Sequence, residues 1–203
     1  AHPLAQAAPR GVKVGVLALA AGRARRFGSD KRLARLPDGQ YCIEAFLDQL
    51  AASELPLLVC LGPADSEVAE LLSARGCPHV ACPRAAEGMG GTLADGITHV
   101  PDWDGVLVAL ADMPWIAADT YRIVASQVAP GSICIPTYHG KRGHPVGFGS
   151  QFFELIAALT GDTGARDVVE KHSDLTRLVA VADPAIRRDV DVPGDLLDQG
   201  GLY

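Results

Sequence analysis

Apolar residues fall along this chain in short runs that alternate with segments of helical period, and the alternation predicts most of its elements. Residues 12–21 form a β-leaning run with Lys13 as its only charge, stopped by Gly22. Residues 41–53 place Ile43, Phe46, Leu47 and Leu50 on one helical stripe. A short strand over 56–61 is closed by Gly62-Pro63, and Asp65 is the expected N-cap of a helix through Arg75, with Val68, Leu71 and Leu72 inward. Further strands are expected at 79–82 and 105–111, the second ended by Asp112-Met113-Pro114. A Gly-rich stretch precedes a helix through about His99, and Asp119 is the expected cap of a helix to about Val128.

From Pro130 the character changes. Residues 132–136 and 146–149 flank a turn rich in Gly, Lys, Arg and His, which reads as a hairpin or a long loop. Helices at about 150–158 and 165–172 and a strand at 176–181 follow. Strands alternating with helices at this spacing argue for a mostly parallel sheet covered on both faces. No repeat, low-complexity tract or linker divides the 203 residues. A flexible Ala/Pro-rich leader over 1–10 and a single domain over 11–203 are the expected organisation, long enough for a substantial core.

The net charge of −6 argues against a general nucleic-acid binder. Positive charge is concentrated instead: residues 10–35 carry eight Lys and Arg against Asp30 alone, a pattern suited to a small anionic ligand. Five cysteines without a C-x-x-C or zinc spacing fit reduced thiols in a cytoplasm. No apolar run approaches transmembrane length. The run at 12–21 is also short for a signal peptide and leads into charged residues in a specific order.

The candidate chemistry begins where that run ends, at Leu19-Ala20-Ala21-Gly22, followed by Arg23, Arg25, Arg26, Gly28 and Lys31. Gly22 and Gly28 allow close backbone approach, the turn's N–H groups can form an anion-binding concavity, and Arg26 and Lys31 add charged donors. The plainer reading is a strand followed by a solvated basic turn. Neither a Walker loop nor a G-x-G-x-x-G fingerprint is present. The pattern L-x-A-G-x-x-x-R-x-G-x-x-K instead resembles the opening of the MobA-like/MocA-like NTP transferases, closest to the molybdenum cofactor cytidylyltransferase and guanylyltransferase branch. A serine is common in that family where this chain has Ala24. The resemblance implies a Rossmann-like three-layer α/β sandwich of the nucleotide-diphospho-sugar transferase type, mostly parallel with one antiparallel strand. It also implies a triphosphate held by Leu19, Ala20, Ala21, Gly22, Gly28 and Lys31.

Five later motifs keep the family's order. Gly88-Met89-Gly90-Gly91-Thr92-Leu93 could offer free helix N-terminal N–H groups to an anion or base edge, or be an ordinary Gly-rich loop capped by Thr92. In the resembled family this segment lines base and ribose, which makes Gly88, Gly90 and Thr92 nucleotide-binding candidates. Asp112 ends an apolar strand, where open α/β sheets bind ligands. In isolation it could be a strand-end cap, but Ala111-Asp112-Met113-Pro114 resembles the family's Mg²⁺-binding motif. Gly143-His144-Pro145-Val146 and Gly161–Arg166 resemble the cytidylyltransferase branch, where they imply acceptor contacts for His144 and Arg166. Each could equally be structural: His144 as a packed loop residue, Arg166 as a surface Arg at a helix start. The segment 189–196 could be a strand end running into a Pro-initiated helix. Its likeness to the family's D-[IV]-D-x-P-x-D-L implies Asp191 as the second Mg²⁺ ligand, with Asp189 turned away from the metal and Asp195 as a cap.

The resemblance thus implies Mg²⁺-dependent transfer of CMP from CTP to the phosphate of molybdenum-loaded molybdopterin, with Arg26, Lys31 and Asp112 as catalytic residues. The product would pass to a molybdoenzyme of the xanthine dehydrogenase or aldehyde oxidoreductase type. Three rivals stand beside this reading: GTP or another phosphate monoester as substrate, a cofactor carrier without turnover, and an oxidoreductase. The guanylyltransferase branch usually shows Gly where this chain has Ala21 and lacks the G-H-P-V loop, which favours CTP. The missing dinucleotide fingerprint disfavours a nicotinamide site.

Overall fold

The first apolar run forms β1 (Val14–Leu19), buried along its whole length inside an eight-stranded sheet. The structure is a computed structural model and describes residues 11–22, 28–191 and 193–196. On one side of β1 lie β2 (Leu57–Leu61) and β3 (His79–Ala81), and on the other β4 (Gly105–Leu110), all parallel. Beyond β4 come β7 (Val146–Gly149) and β5 (Ile133–Tyr138), with β8 (Thr176–Ala180) parallel to β5. β7 is the antiparallel strand, running against both β4 and β5. The basic turn proves to be a hairpin in which the two-residue β6 (Lys141–Arg142) folds back on the end of β5. Its turn residues, His139 and Gly140, both take positive φ, 47° and 75°, the geometry that two-residue hairpins favour.

Alternate residues of the strands sort into two cores, as the pleat requires. Val16, Ala18, Val59, Leu107 and Ala109 pack against α1 (Cys42–Ser53), α2 (Ser66–Ala74) and α4 (Ala118–Gln127). Leu17, Leu19, Cys60, Val106 and Val108 pack on the other face against α3 (Met89–Ile97), α5 (Phe153–Ala157) and α6 (Arg166–Lys171). This is the expected three-layer α/β arrangement. The strand order reverses at β1, because the chain builds outward to β2 and β3 and then crosses back to β4. A crevice therefore opens beyond the carboxyl ends of β1 and β4, where ligands bind in open α/β sheets.

Two expected caps are corrected. Asp65 precedes α2 but makes no side-chain cap; both its oxygens accept from the Arg32 guanidinium, a charge-assisted partner stronger than a backbone N–H. Asp119 lies in the first turn of α4 and pairs with Arg122. The α4 N-terminus is closed from a distance by Asp183, which accepts from Ala117 N at 2.9 Å and Thr120 Oγ1 at 2.7 Å. All five cysteines are free. No helix among the described residues is long and apolar enough to cross a membrane.

Candidate active site

The end of β1 is tied to both neighbouring strands: Ala20 N donates to Cys60 O, and Ala111 N to Leu19 O. Leu19, Ala20, Ala21, Gly22 and Lys31 consequently line one cleft of about 900 Å³. Gly28 lies apart from its lining, and its φ of 79° shows that the turn itself calls for a glycine. Arg26 lies outside the described residues, as does the leader over 1–10.

Lys31 and Asp112 are joined directly. The Lys31 ammonium donates to Asp112 Oδ2 at 2.7 Å and to Val190 O at 3.0 Å. Val190 N in turn donates to Asp112 O at 2.8 Å. These three bonds lash the chain's last described segment to the turn after β4 and set Asp191 in the same cleft as Asp112. Asp195 accepts from Asp191 N at 2.8 Å and so holds the backbone of that segment. The other Asp112 oxygen, Oδ1, is buried and accepts no hydrogen bond from the described residues. An orphaned carboxylate oxygen beside a second carboxylate fits a hard divalent cation that completes its shell with water or phosphate oxygens. Among the described residues no three His, Cys, Asp or Glu side chains converge on one point. Beneath this site Cys42 is fully buried, and burial, reinforced by Asp112 and opposed by Lys31, pushes its thiol up to about 12, so it is no nucleophile.

The Gly-rich segment is placed differently from its sequence reading. The helix already starts at Met89, so Thr92 lies within α3 rather than capping it, and its hydroxyl donates to Gly88 O at 3.2 Å. Gly88 and Thr92 do line the cleft. Gly90 does not: its N–H donates to Gly161 O at 2.9 Å, and a Cβ there would sit 2.7 Å from the carbonyl oxygens of Thr160 and Gly161. Gly91 N also reaches Gly161 O, and Met89 N reaches Asp162 Oδ1 at 3.3 Å. The N-terminal N–H groups of α3 are thus given to the 160–162 loop and not left for an anion, and Gly90 is a packing glycine.

His144 and Arg166 meet in a second, smaller cavity of about 550 Å³. It shares Leu110 with the cleft and is also lined by Arg142, Arg187 and Asp189. His144 is half-buried, and its backbone N–H donates to Ile186 O at 2.8 Å. Burial pushes its imidazole below the ordinary value, against the opposing pull of Asp112 and Asp189. Arg166 is exposed and already paired with Glu170 at 3.0 Å. Asp189 lines the smaller cavity and Asp191 the cleft.

Sequence reasoning missed Arg32, Asp65 and Asp162, all of which line the cleft, and Arg187 in the cavity. Arg32 and Asp65 are both buried and face each other across 33 residues of sequence. The one available signal for Arg32 was its place beside Lys31.

The fold and this crevice define the chain as an α/β protein of the Rossmann-like nucleotide-binding class. Residues 16–175 match the MobA-like NTP transferase domain, and the chain belongs to that family. Among curated proteins it is similar to the nicotine blue oxidoreductase of Paenarthrobacter nicotinovorans, 27% identical over 114 residues. That match takes in 52% of this chain and 56% of the relative, so the chain spans little more than half the length of the curated protein it matches. Among solved structures it is similar to Rv0371c from Mycobacterium tuberculosis H37Rv, with 28% identity over 92% of this chain and 96% of that one and a TM-score of 0.79. The manganese complex of Rv0371c matches at 27% identity over 93% and 100%, with a TM-score of 0.77. A nucleotidyl transferase from Methanothermobacter thermautotroptrophicus shares the fold at 20% identity, with 92% and 95% covered and a TM-score of 0.79.

Proposed function

We propose that the protein is a cytoplasmic, divalent-metal-dependent nucleotidyltransferase that moves CMP from CTP to the phosphate of molybdenum-loaded molybdopterin and releases pyrophosphate. The observation that carries the reading is the junction of Lys31, Asp112 and the Val190–Asp191 segment at the carboxyl ends of β1 and β4. Family membership supports a nucleoside triphosphate as substrate. Ala21 and the Gly143-His144-Pro145-Val146 loop favour CTP over GTP through their likeness to the cytidylyltransferase branch.

In this reading an oxygen of the acceptor phosphate attacks the α-phosphorus, and the bond from that phosphorus to the bridging oxygen breaks, so pyrophosphate leaves with the electron pair. The attacking oxygen is already ionised and needs no general base. Catalysis is then alignment plus charge neutralisation. Two of the three Lys31 donors are taken by Asp112 and Val190, which leaves one for a phosphate oxygen. Arg26, with Lys31, holds the triphosphate and the departing pyrophosphate. Leu19, Ala20, Ala21, Gly22, Gly88 and Thr92 form the walls around the nucleotide. Asp112 Oδ1 and Asp191 would hold the metal, for which Mg²⁺ is the proposed ion, and when bound it supplies positive charge at the reacting phosphates. His144 and Arg166 face the acceptor, and the product passes to a molybdoenzyme of the xanthine dehydrogenase or aldehyde oxidoreductase type.

The test is pyrophosphate release from each of the four NTPs with Mg²⁺ and molybdenum-loaded molybdopterin. Release with CTP is the expected result. Release with GTP alone moves the reading to guanylyl transfer. Tight nucleotide binding without release, across a panel of phosphate monoesters, leaves a carrier. Oxidation of a reduced nicotinamide or flavin by a pigment substrate without pyrophosphate release would make it an oxidoreductase.

A further inference from the structure

Arg32 is buried at the floor of the cleft, with only 5% of its side chain exposed, and every guanidinium donor is used. Nε donates to Asp30 Oδ1 at 2.8 Å, and Nη2 to Asp30 Oδ2 at 2.7 Å and Asp65 Oδ1 at 2.9 Å. Nη1 donates to Asp65 Oδ2 at 2.8 Å and to the carbonyl of Ala20. A guanidinium has five N–H groups, so none remains for a ligand even though the residue lines the cleft. Asp65 also accepts from Gly62 N at 2.7 Å, which ties the network to the end of β2.

One bond in this set matters for chemistry. The 20–21 peptide is trans, and in a trans peptide the carbonyl and the following N–H point in opposite directions. The Ala20 carbonyl is held on buried Arg32, so the Ala21 N–H points away from that guanidinium, and Ala21 lines the cleft. Resting on the nucleotidyltransferase reading above, we propose that Arg32 is a positioning residue for the phosphate loop. By holding the Ala20 carbonyl it aims the Ala21 N–H at the triphosphate. Asp30 and Asp65 fix the guanidinium so that it cannot itself turn to the phosphates. Its bidentate fork is what allows three chain segments to be held at once, and a lysine cannot reproduce it.

The experiment compares Mg²⁺-CTP and CMP binding by calorimetry in wild type, Arg32→Met and Arg32→Lys. A structural role alone would weaken both ligands together. The positioning role predicts a fall in CTP affinity of about tenfold or more, the worth of a hydrogen bond to a charged group, with CMP changed by no more than about twofold. Parallel losses, or an unchanged preference for CTP, would overturn the proposal and leave the nucleotidyltransferase reading standing. A wild type that binds CTP no better than CMP would overturn both.

A second measurement needs no variant. Inorganic pyrophosphate with Mg²⁺ is titrated into ¹⁵N-labelled wild type, and the Ala21 amide is expected among the most shifted resonances. An Ala21 amide that stays in place while pyrophosphate binds would also overturn the proposal. If the single variants do not fold, Arg32→Met with Asp65→Leu removes the buried pair together, a change that cores often tolerate. It should show the same loss of preference for CTP.

Discussion

The larger cleft and the smaller cavity sit side by side, separated by the end of β4 and the extended segment that carries Asp189 and Asp191, yet their charge is opposite in kind. Among the described residues around the cleft, Lys31 and the fully engaged Arg32 face Asp65, Glu87, Asp112, Asp162 and Asp191. Around the cavity, Arg142, Arg166, Arg187 and His144 face Glu170 and Asp189. Carboxylates this numerous among the described lining residues suit a polyphosphate that arrives with a divalent cation, the expected setting for a metal–nucleotide complex. A cavity lined by arginines instead suits an acceptor whose anionic phosphate arrives without a divalent counter-ion. The two sites are distinguished by which partner brings its own counter-charge, and the Asp189–Asp191 segment serves both.

That contrast can be broken by substitution on either side. Asp112→Asn should cost most, at least about a hundredfold in kcat, because it removes the carboxylate whose orphaned oxygen is the proposed metal ligand. Near-normal kcat at saturating metal would remove Asp112 from that role. Lys31→Ala should cost about tenfold to a hundredfold in kcat/KM for the nucleotide, since it deletes a charged donor and frees the Val190 segment. Steady-state kinetics with the nucleotide varied would read this.

On the other side, Arg187→Ala should raise KM for the acceptor about tenfold while leaving KM for the nucleotide in place. Equal changes in both would erase the separation between the sites. The smallest effect is one of pH. His144 titrates below its ordinary value in the folded chain, so the unfolded chain binds more protons in the window between the two. Its contribution to stability is complete above the ordinary imidazole value of 6.5 and is lost as pH falls through the depressed one. Thermal melts of His144→Gln should therefore show a flatter fall in Tm over that acidic window than wild type.

The parts legible in the sequence were local. The apolar run ending in Gly22, the carboxylate at the end of β4 and the alternation of strands and helices each depend on neighbours within a few positions. What remained hidden depends on distant partners. Asp65 looks like a cap until Arg32, 33 residues away, is folded against it, and Asp183 caps α4 from 66 residues away. The Gly88–Gly91 segment reads as an open anion site because its sequence shows glycines before a helix, while the loop that fills it lies 73 residues on. Gly90 shows the ambiguity plainly, since close approach by a ligand and close approach by another backbone demand the same residue. Asp191 was found through family likeness alone, and only the bonds from Val190 to Asp112 and Lys31 explain how it reaches the cleft.

In the proposed reaction the α-phosphoryl group of CTP moves, with its cytidine, to an acceptor while the outer two phosphates leave together. Parallel incubations with α-labelled and γ-labelled CTP, metal and molybdenum-loaded molybdopterin test it most directly. The α-label is expected on the acceptor and the γ-label in pyrophosphate. A γ-label on the acceptor, or both labels remaining in intact CTP while the acceptor is consumed, would contradict it.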